Sequence, residues 1–157
     1  MNKLTHLDDD GAAHMIDVSA KQITTRQAIA SGRITMSGEA RHAIAQGLVK
    51  KGDVLAVARV AGIMGAKKTS DLIPLCHPLP LSSVSIDLRL DDQGVVAIAT
   101  AKTNGQTGVE MEAMTAVSIA LLTIYDMAKS IDKAMIISDI VLLEKEGGKS
   151  GNWTRGS

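Results

Sequence analysis

Asp126 and Lys129 stand three residues apart at the end of the longest apolar run in the chain, TGVEMEAMTAVSIALLTIYDMAK, from Thr107 to Lys129. Three residues on a helix put two side chains on one face, within reach of each other. A carboxylate in a last turn faces the negative end of the helix dipole and is disfavoured there unless a cation compensates it. Two roles fit the pair. One is a plain ion pair. The other is a general acid/base couple in which each partner tunes the proton affinity of the other.

Lysines recur beside glycine and proline punctuation: Lys51, Lys67, Lys68, Lys129, Lys133 and Lys149. Taken singly they read as solvated surface residues. Together they suit a phosphorylated substrate, each acting as a point charge on a phosphate, and a lysine held among cations moves protons at neutral pH. Gly148-Lys149-Ser150 has the ending of a phosphate-binding P-loop, but Leu143 occupies the place of the first glycine and no helix follows. A flexible lid carrying Lys149 is the functional reading, and a plain flexible tail is the alternative.

Cys76 and His77 lie between Pro74 and Pro78 in the stiff segment DLIPLCHPLP, which holds the only prolines of the chain. Neighbours on an extended segment point to opposite sides, which argues against a direct thiolate–imidazole dyad. His77 is left as a ligand-binding or proton-transfer candidate. At the other end of the apolar run, Thr107 and Glu110 form the T-x-x-E pattern of a capping box. Glu112 has no such duty, and Met111 between the two glutamates reads as a packing residue. His6, His14 and His42 show no metal-ligand spacing with His77, and neither a metal nor a resident cofactor is expected.

These groups need elements to hold them. The apolar run predicts a buried helix about 35 Å long. Before it, Asp53 is a good N-cap for a helix that ends on Lys67-Lys68. Ser37 or Gly38 opens a shorter helix that stops near Gly47. Strands are expected at His14 to Val18, at Ile23 to Met36 with a break at Ser31-Gly32, at Ser83 to Leu90, at Val95 to Thr103 and at Ala134 to Lys145. The turn Asp91-Asp92-Gln93-Gly94 joins two of them as a hairpin. A mobile arm is expected over about 1–13 and a flexible Gly/Lys tail over about 147–157, flanking one domain. The order β-α-α-β-β-α-β from Ile23 matches the split βαβ plan of ferredoxin-like folds, an α+β class with an antiparallel sheet and helices on one face. Its other face and the outer side of the long helix stay apolar, which argues for a homo-oligomer.

Composition excludes some functions. The 157 residues, 45% hydrophobic and 22% charged, describe an ordinary globular chain. Seventeen basic residues balance seventeen acidic ones, so any anion site is a local cluster rather than a global field. With no Phe, one Trp and one Tyr, the chain lacks stacking platforms for nucleic acid. One cysteine permits no internal disulfide. No charged-then-apolar leader opens the sequence, the long apolar run is broken by Thr and Ser, and the expected compartment is the cytoplasm, with no membrane partner.

Four stretches in order, DLIPLCHPL, TGVEMEAMTA, LTIYDMAK and GGKSG, together with the opening LTHLDDDGAAHMIDVSAK, resemble the cyclic pyranopterin monophosphate synthase family of molybdenum-cofactor biosynthesis over almost the whole chain. The resemblance implies a ferredoxin-like fold assembled as a homohexamer, a trimer of dimers, with active sites at a subunit interface. It implies conversion of a purine-nucleotide-derived triphosphate, 3′,8-cyclo-7,8-dihydroguanosine 5′-triphosphate, into cyclic pyranopterin monophosphate with release of pyrophosphate. By the same resemblance Asp126 is the catalytic acid/base with Lys129 beside it. Lys51, Lys67 and Lys149 supply charge and proton transfer, and Leu75, Cys76, His77, Glu110, Met111 and Glu112 line the substrate pocket. A nucleotide-binding regulatory module and a purely structural oligomer are the competing classes.

Overall fold

The computed structural model describes residues 6–156. Alternation of apolar and polar residues writes the sheet. In β1 (Thr24–Thr35) the positions Ala28, Ala30, Gly32 and Ile34 face inward and are buried, while Thr25, Gln27 and Ile29 look the other way. The hairpin of β2 (Leu81–Leu90) and β3 (Gly94–Gly105) turns at Asp91, whose Oδ1 accepts from the backbone N–H groups of Gln93 and Gly94. The last long strand is β4 (Ile136–Glu146), and a short fifth, β5 (Trp153–Thr154), pairs with its end. The five form one open antiparallel sheet in the order β2-β3-β1-β4-β5.

Helices punctuate the strands at the expected caps. Ser37 accepts from Ala40 N to start α1 (Gly38–Ala45), and Asp53 accepts from Ala56 N to start α2 (Val54–Lys67). A single turn, α3 (Thr69–Leu72), precedes the proline segment. The long helix α4 (Glu110–Ala128) lies on β1 and β3 and against α2. By length and apolarity it would suffice to cross a membrane, but half of it is buried inside this fold. Close approach is bought with glycine: a Cβ on Gly32 would sit 2.8 Å from Val117 Cγ1, and one on Gly62 would sit 2.8 Å from the carbonyl oxygen of Ala116. Ala113, Ala116, Val117, Ala120, Leu121 and Ile124 then close the core against Ala28, Ala30, Ala97 and Ala99.

Several expectations are corrected. No strand forms at His14 to Val18; a lone bridge joins Leu7 to Ala13, and the carbonyl of Ile16 is taken by the ring of His77 instead of a ladder. β1 runs unbroken through Ser31-Gly32. The irregularities fall on its partner: β4 shifts register between the Ile29–Glu144 and Ala30–Leu142 pairs and again between the Ser31–Val141 and Arg33–Ser138 pairs, where Asp139 takes φ 58°. The capping box is absent: Val109 is the N-cap, with no side-chain bond, because the helix starts two residues later than the box requires. Glu110 reaches Lys145 instead, at 3.4 Å. The mobile-arm expectation falls partly on residues 1–5, outside the described residues, while Asp8 organises a turn by accepting from Asp10 N and Ala12 N.

Apolar side chains stay exposed on the outer face of α2, at Val57, Val60 and Met64, and on α4 at Leu122. The far face of the sheet carries half-buried Ile29, Val96 and Ile98.

Candidate active site

Candidate residues gather at the two ends of α4. Beyond its last turn the Lys129 Nζ stands 3.0 Å from Asp126 Oδ1, and Lys51 Nζ, from the turn that leads into α2, stands 3.1 Å from Asp126 Oδ2. Lys51 also donates to the Asp126 carbonyl oxygen at 3.2 Å, so one lysine caps the helix end and grips the carboxylate at once. Hydrogen bonds from Lys129 and then Lys51 hold the Asp126 carboxyl below its ordinary pKa of 3.8. It is ionised throughout the neutral range, open to solvent, and flanked by two proton donors.

The other end of α4 borders a cavity of about 420 Å³. Leu75, Cys76 and His77 line it from the proline segment, Glu110, Met111 and Glu112 from the helix start, and His6, Ile16, Val18 and Lys21 from the N-terminal stretch. Cys76 and His77 share this cavity despite being neighbours, because the chain turns there, with Cys76 N donating to Ile73 O at 3.1 Å. No dyad results. The Nε2 of His77 meets the carbonyl of Ile16, which only accepts, so that nitrogen carries the hydrogen and pins the N-terminal stretch to the cavity wall. Burial, then the charge of Glu112, pushes the Cys76 thiol up, away from thiolate chemistry.

Glu112 is 4% exposed at the cavity wall, and burial, aided by the charge of Glu110, pushes its pKa up from 4.5 to about 7. A carboxyl whose folded pKa is raised holds its proton in the fold after the unfolded chain has lost it. Stability is therefore greatest in acid and falls as pH rises from about 4.5 to about 7. Glu112→Gln, which stays neutral, escapes that loss. Urea unfolding should show the variant gaining on the wild type by about 1–2 kcal/mol between acid and alkaline pH, after discounting for water in the cavity. Parallel pH curves for the two proteins would show that Glu112 titrates normally.

A second cavity of about 820 Å³ adjoins the first, sharing Lys21, Thr107, Gly108 and Glu110. Arg26, Lys145 and Lys149 add three cations to its wall, against the single carboxylate of Glu110. Arg26 is nearly buried and donates from Nε to Gly105 O at 3.0 Å. Gly148, at φ 84°, lies against its guanidinium, where a Cβ would come within 2.2 Å of Nη1. This places Lys149, the next residue, at the cavity. Lys67 lines neither cavity; it stands exposed in the last turn of α2. Lys51 ties the start of α2 to the Asp126 cluster, while the end of α2 leads through α3 into the proline segment that lines the first cavity.

Sequence reading missed Lys21, Arg26 and Lys145. Two of them carried a signal. Arg26 occupies an inward position of β1, two residues before buried Ala28, and Lys145 pairs with Ala28 across the sheet. A cation on the apolar face of a strand needs a partner or a cavity. Among the described residues, no group of three or more His, Cys, Asp or Glu stands close enough to hold a metal ion.

The chain is similar throughout to known proteins. It is 62% identical over 155 residues to the cyclic pyranopterin monophosphate synthase of Dinoroseobacter shibae and 59% identical over 155 residues to that of Cereibacter sphaeroides, each match covering 98% of both chains. The synthase of Streptomyces avermitilis is 55% identical over 154 residues, 98% of this chain and 91% of the relative. The model of the MoaC family matches residues 15–148, a span that contains the Asp126 cluster and the residues of the first cavity except His6. By sequence, along nearly its whole length, this chain belongs to the MoaC family.

Proposed function

We propose that this chain is a cyclic pyranopterin monophosphate synthase, a lyase that turns 3′,8-cyclo-7,8-dihydroguanosine 5′-triphosphate into cyclic pyranopterin monophosphate and pyrophosphate. The observation that carries this reading is Asp126 held between Lys51 and Lys129, an ionised carboxylate with two ammonium donors at hydrogen-bond distance. The chemistry asks for that set. Opening and reclosing the purine-derived ring needs proton transfers in both directions, with a carboxylate as acceptor and lysines as donors. Attack of a ribose oxygen on the α-phosphorus breaks the bond to the β-phosphate oxygen, and charge grows on the departing pyrophosphate. Cations stabilise it there.

In this reading Leu75, Cys76, His77, Met111 and Glu112 hold the purine-derived part of the substrate in the first cavity, beside Glu110. Lys149, with Lys21, Arg26 and Lys145, takes the triphosphate in the second; Lys67, which lines neither cavity, keeps only the role of positive charge that the family resemblance implies. Glu112, a buried carboxyl with no ion pair among the described residues, suits the N–H edge of a guanine-like ring.

Glu112 and Asp126 lie fourteen residues apart on α4, about 21 Å along its axis. One copy does not bring both to one substrate, which supports a site shared between subunits of a homohexamer built as a trimer of dimers. Exposed Val57, Val60, Met64 and Leu122 give such an assembly apolar surface to bury. The strand order, with β3 inserted between β1 and β2 around the α2 crossover, supports the ferredoxin-like, split βαβ assignment. Unpaired Cys76 suits the cytoplasm.

Incubation of the purified protein with the cyclised GTP intermediate tests the proposal. Mass spectrometry should find the pterin product and pyrophosphate in equal amounts. Failure of both to appear would remove the assignment.

A further inference from the structure

Lys149 sits on a loop tied at its base by Asn152 and Arg155, which line neither of the two cavities. The side chain of Asn152 accepts from the backbone N–H of Gly147 at 3.1 Å, closing the loop 147–152 across its base. β5 then pairs with β4, Trp153 opposite Lys145 and Thr154 opposite Glu144. Arg155 secures the far side: its N–H donates to Leu143 O at 2.8 Å, its Nε to Leu142 O at 2.7 Å, and its guanidinium lies 5.8 Å from the centre of the Trp153 ring. Inside the loop, Gly147 and Gly148 both take positive φ and press on Thr25 and Arg26. Lys145, from the adjoining strand, donates to Ser150 Oγ at 2.7 Å.

We propose that Asn152 is a positioning residue: through Gly147, and backed by β5, it latches the 147–152 loop so that Lys149 is presented to the anionic end of the substrate. Without the latch, six residues rich in glycine would search many conformations before Lys149 met a phosphate, and binding would bear that entropy. With it, the loop is held before substrate arrives. Asn152 acts only through the loop and touches no reacting atom. The catalytic part of the claim rests on the function proposed above; the mechanical part does not.

Two variants of the full chain separate these parts. Asn152→Ala removes the acceptor, and Asn152→Asp keeps an oxygen at the same place. Native trypsin digestion reads the opening of the loop as cleavage after Lys149, because cleavage follows the population of the open form. The alanine variant should be cut about three- to tenfold faster, as loss of one neutral hydrogen bond predicts, and the aspartate variant at close to the wild-type rate. The KM for the cyclised GTP intermediate should rise by about the same factor in the alanine variant with kcat unchanged, since the contact serves ground and transition state alike. Unaltered cleavage in Asn152→Ala overturns the latch. Faster cleavage with unaltered KM overturns its positioning role, as does an aspartate variant no better than alanine. If the wild type itself makes no product while cleavage behaves as described, the latch stands and the function proposed above falls.

Discussion

Asp126→Asn should lower kcat for pyrophosphate release by about 10²–10⁴-fold, the range associated with losing a placed general acid or base. The side chain is more than half exposed and its two ion pairs are open to water, so the fold has little stake in it. Asn keeps the shape and one oxygen for Lys51 or Lys129, while the proton-accepting charge is gone and two ammonium groups lose their counter-ion. Thermal unfolding should therefore hardly move, and calorimetry should still detect substrate binding. The pH dependence separates this residue from Glu112. Because Lys129 and Lys51 hold the Asp126 carboxyl below 3.8, its ionised form is lost only as pH falls through that depressed value. An inflection of kcat/KM near pH 7 belongs instead to Glu112, whose pKa is about 7, and should vanish in Glu112→Gln. Wild-type turnover in Asp126→Asn would remove Asp126 from the chemistry.

Periodicity and capping made most of the fold legible. The alternation of Val84, Ile86, Leu88 and Leu90, the N-caps Ser37 and Asp53, and the turn at Asp91 all translate directly into β2, α1, α2 and the hairpin. Local signals failed where tertiary packing overruled them. Thr107 and Glu110 have the letters of a capping box, but Glu110 is drawn to Lys145 and Thr107-Gly108 is spent on the cavity wall. Residues 14–18 have the letters of a strand, but His77 takes the carbonyl a ladder would use. The strand break suggested by Ser31-Gly32 is a demand for space: Gly32 lets Val117 and Leu121 close on the sheet, and the bulge appears on β4.

The candidate site was legible in its chemistry and less so in its grouping. The spacing of Asp126 and Lys129 foretold their contact, since both ride one helix face. Nothing local told that Lys51, seventy-five residues earlier, would grip the same carboxylate. The glycines around Lys149 suggest a lid, yet what places it is Arg26 beneath Gly148, a contact between opposite ends of the chain. Pairings of that kind depend on strand order, which periodicity alone leaves open.

If each site takes its Asp126 cluster from one copy and its cavities from another, two dead variants should rescue each other. Asp126→Asn spoils one half-site; Lys21→Ala with Lys149→Ala strips two cations from the other. Each preparation alone should be nearly inactive. When the two are co-expressed in equal amounts and assemble at random, a working site needs an intact Asp126 from one parent and intact lysines from the other. That combination arises at about one site in four in a symmetric oligomer with a shared site. Activity should therefore return to about a quarter of wild type, a rise of at least tenfold over either parent. Simple mixing of the two folded proteins should restore less, in step with how slowly subunits exchange. A co-expressed pair no more active than its parents would mean that one copy supplies both clusters. The 21 Å between Glu112 and Asp126 on α4 would then have to be spanned within a single chain, and α4 is a continuous helix that does not shorten.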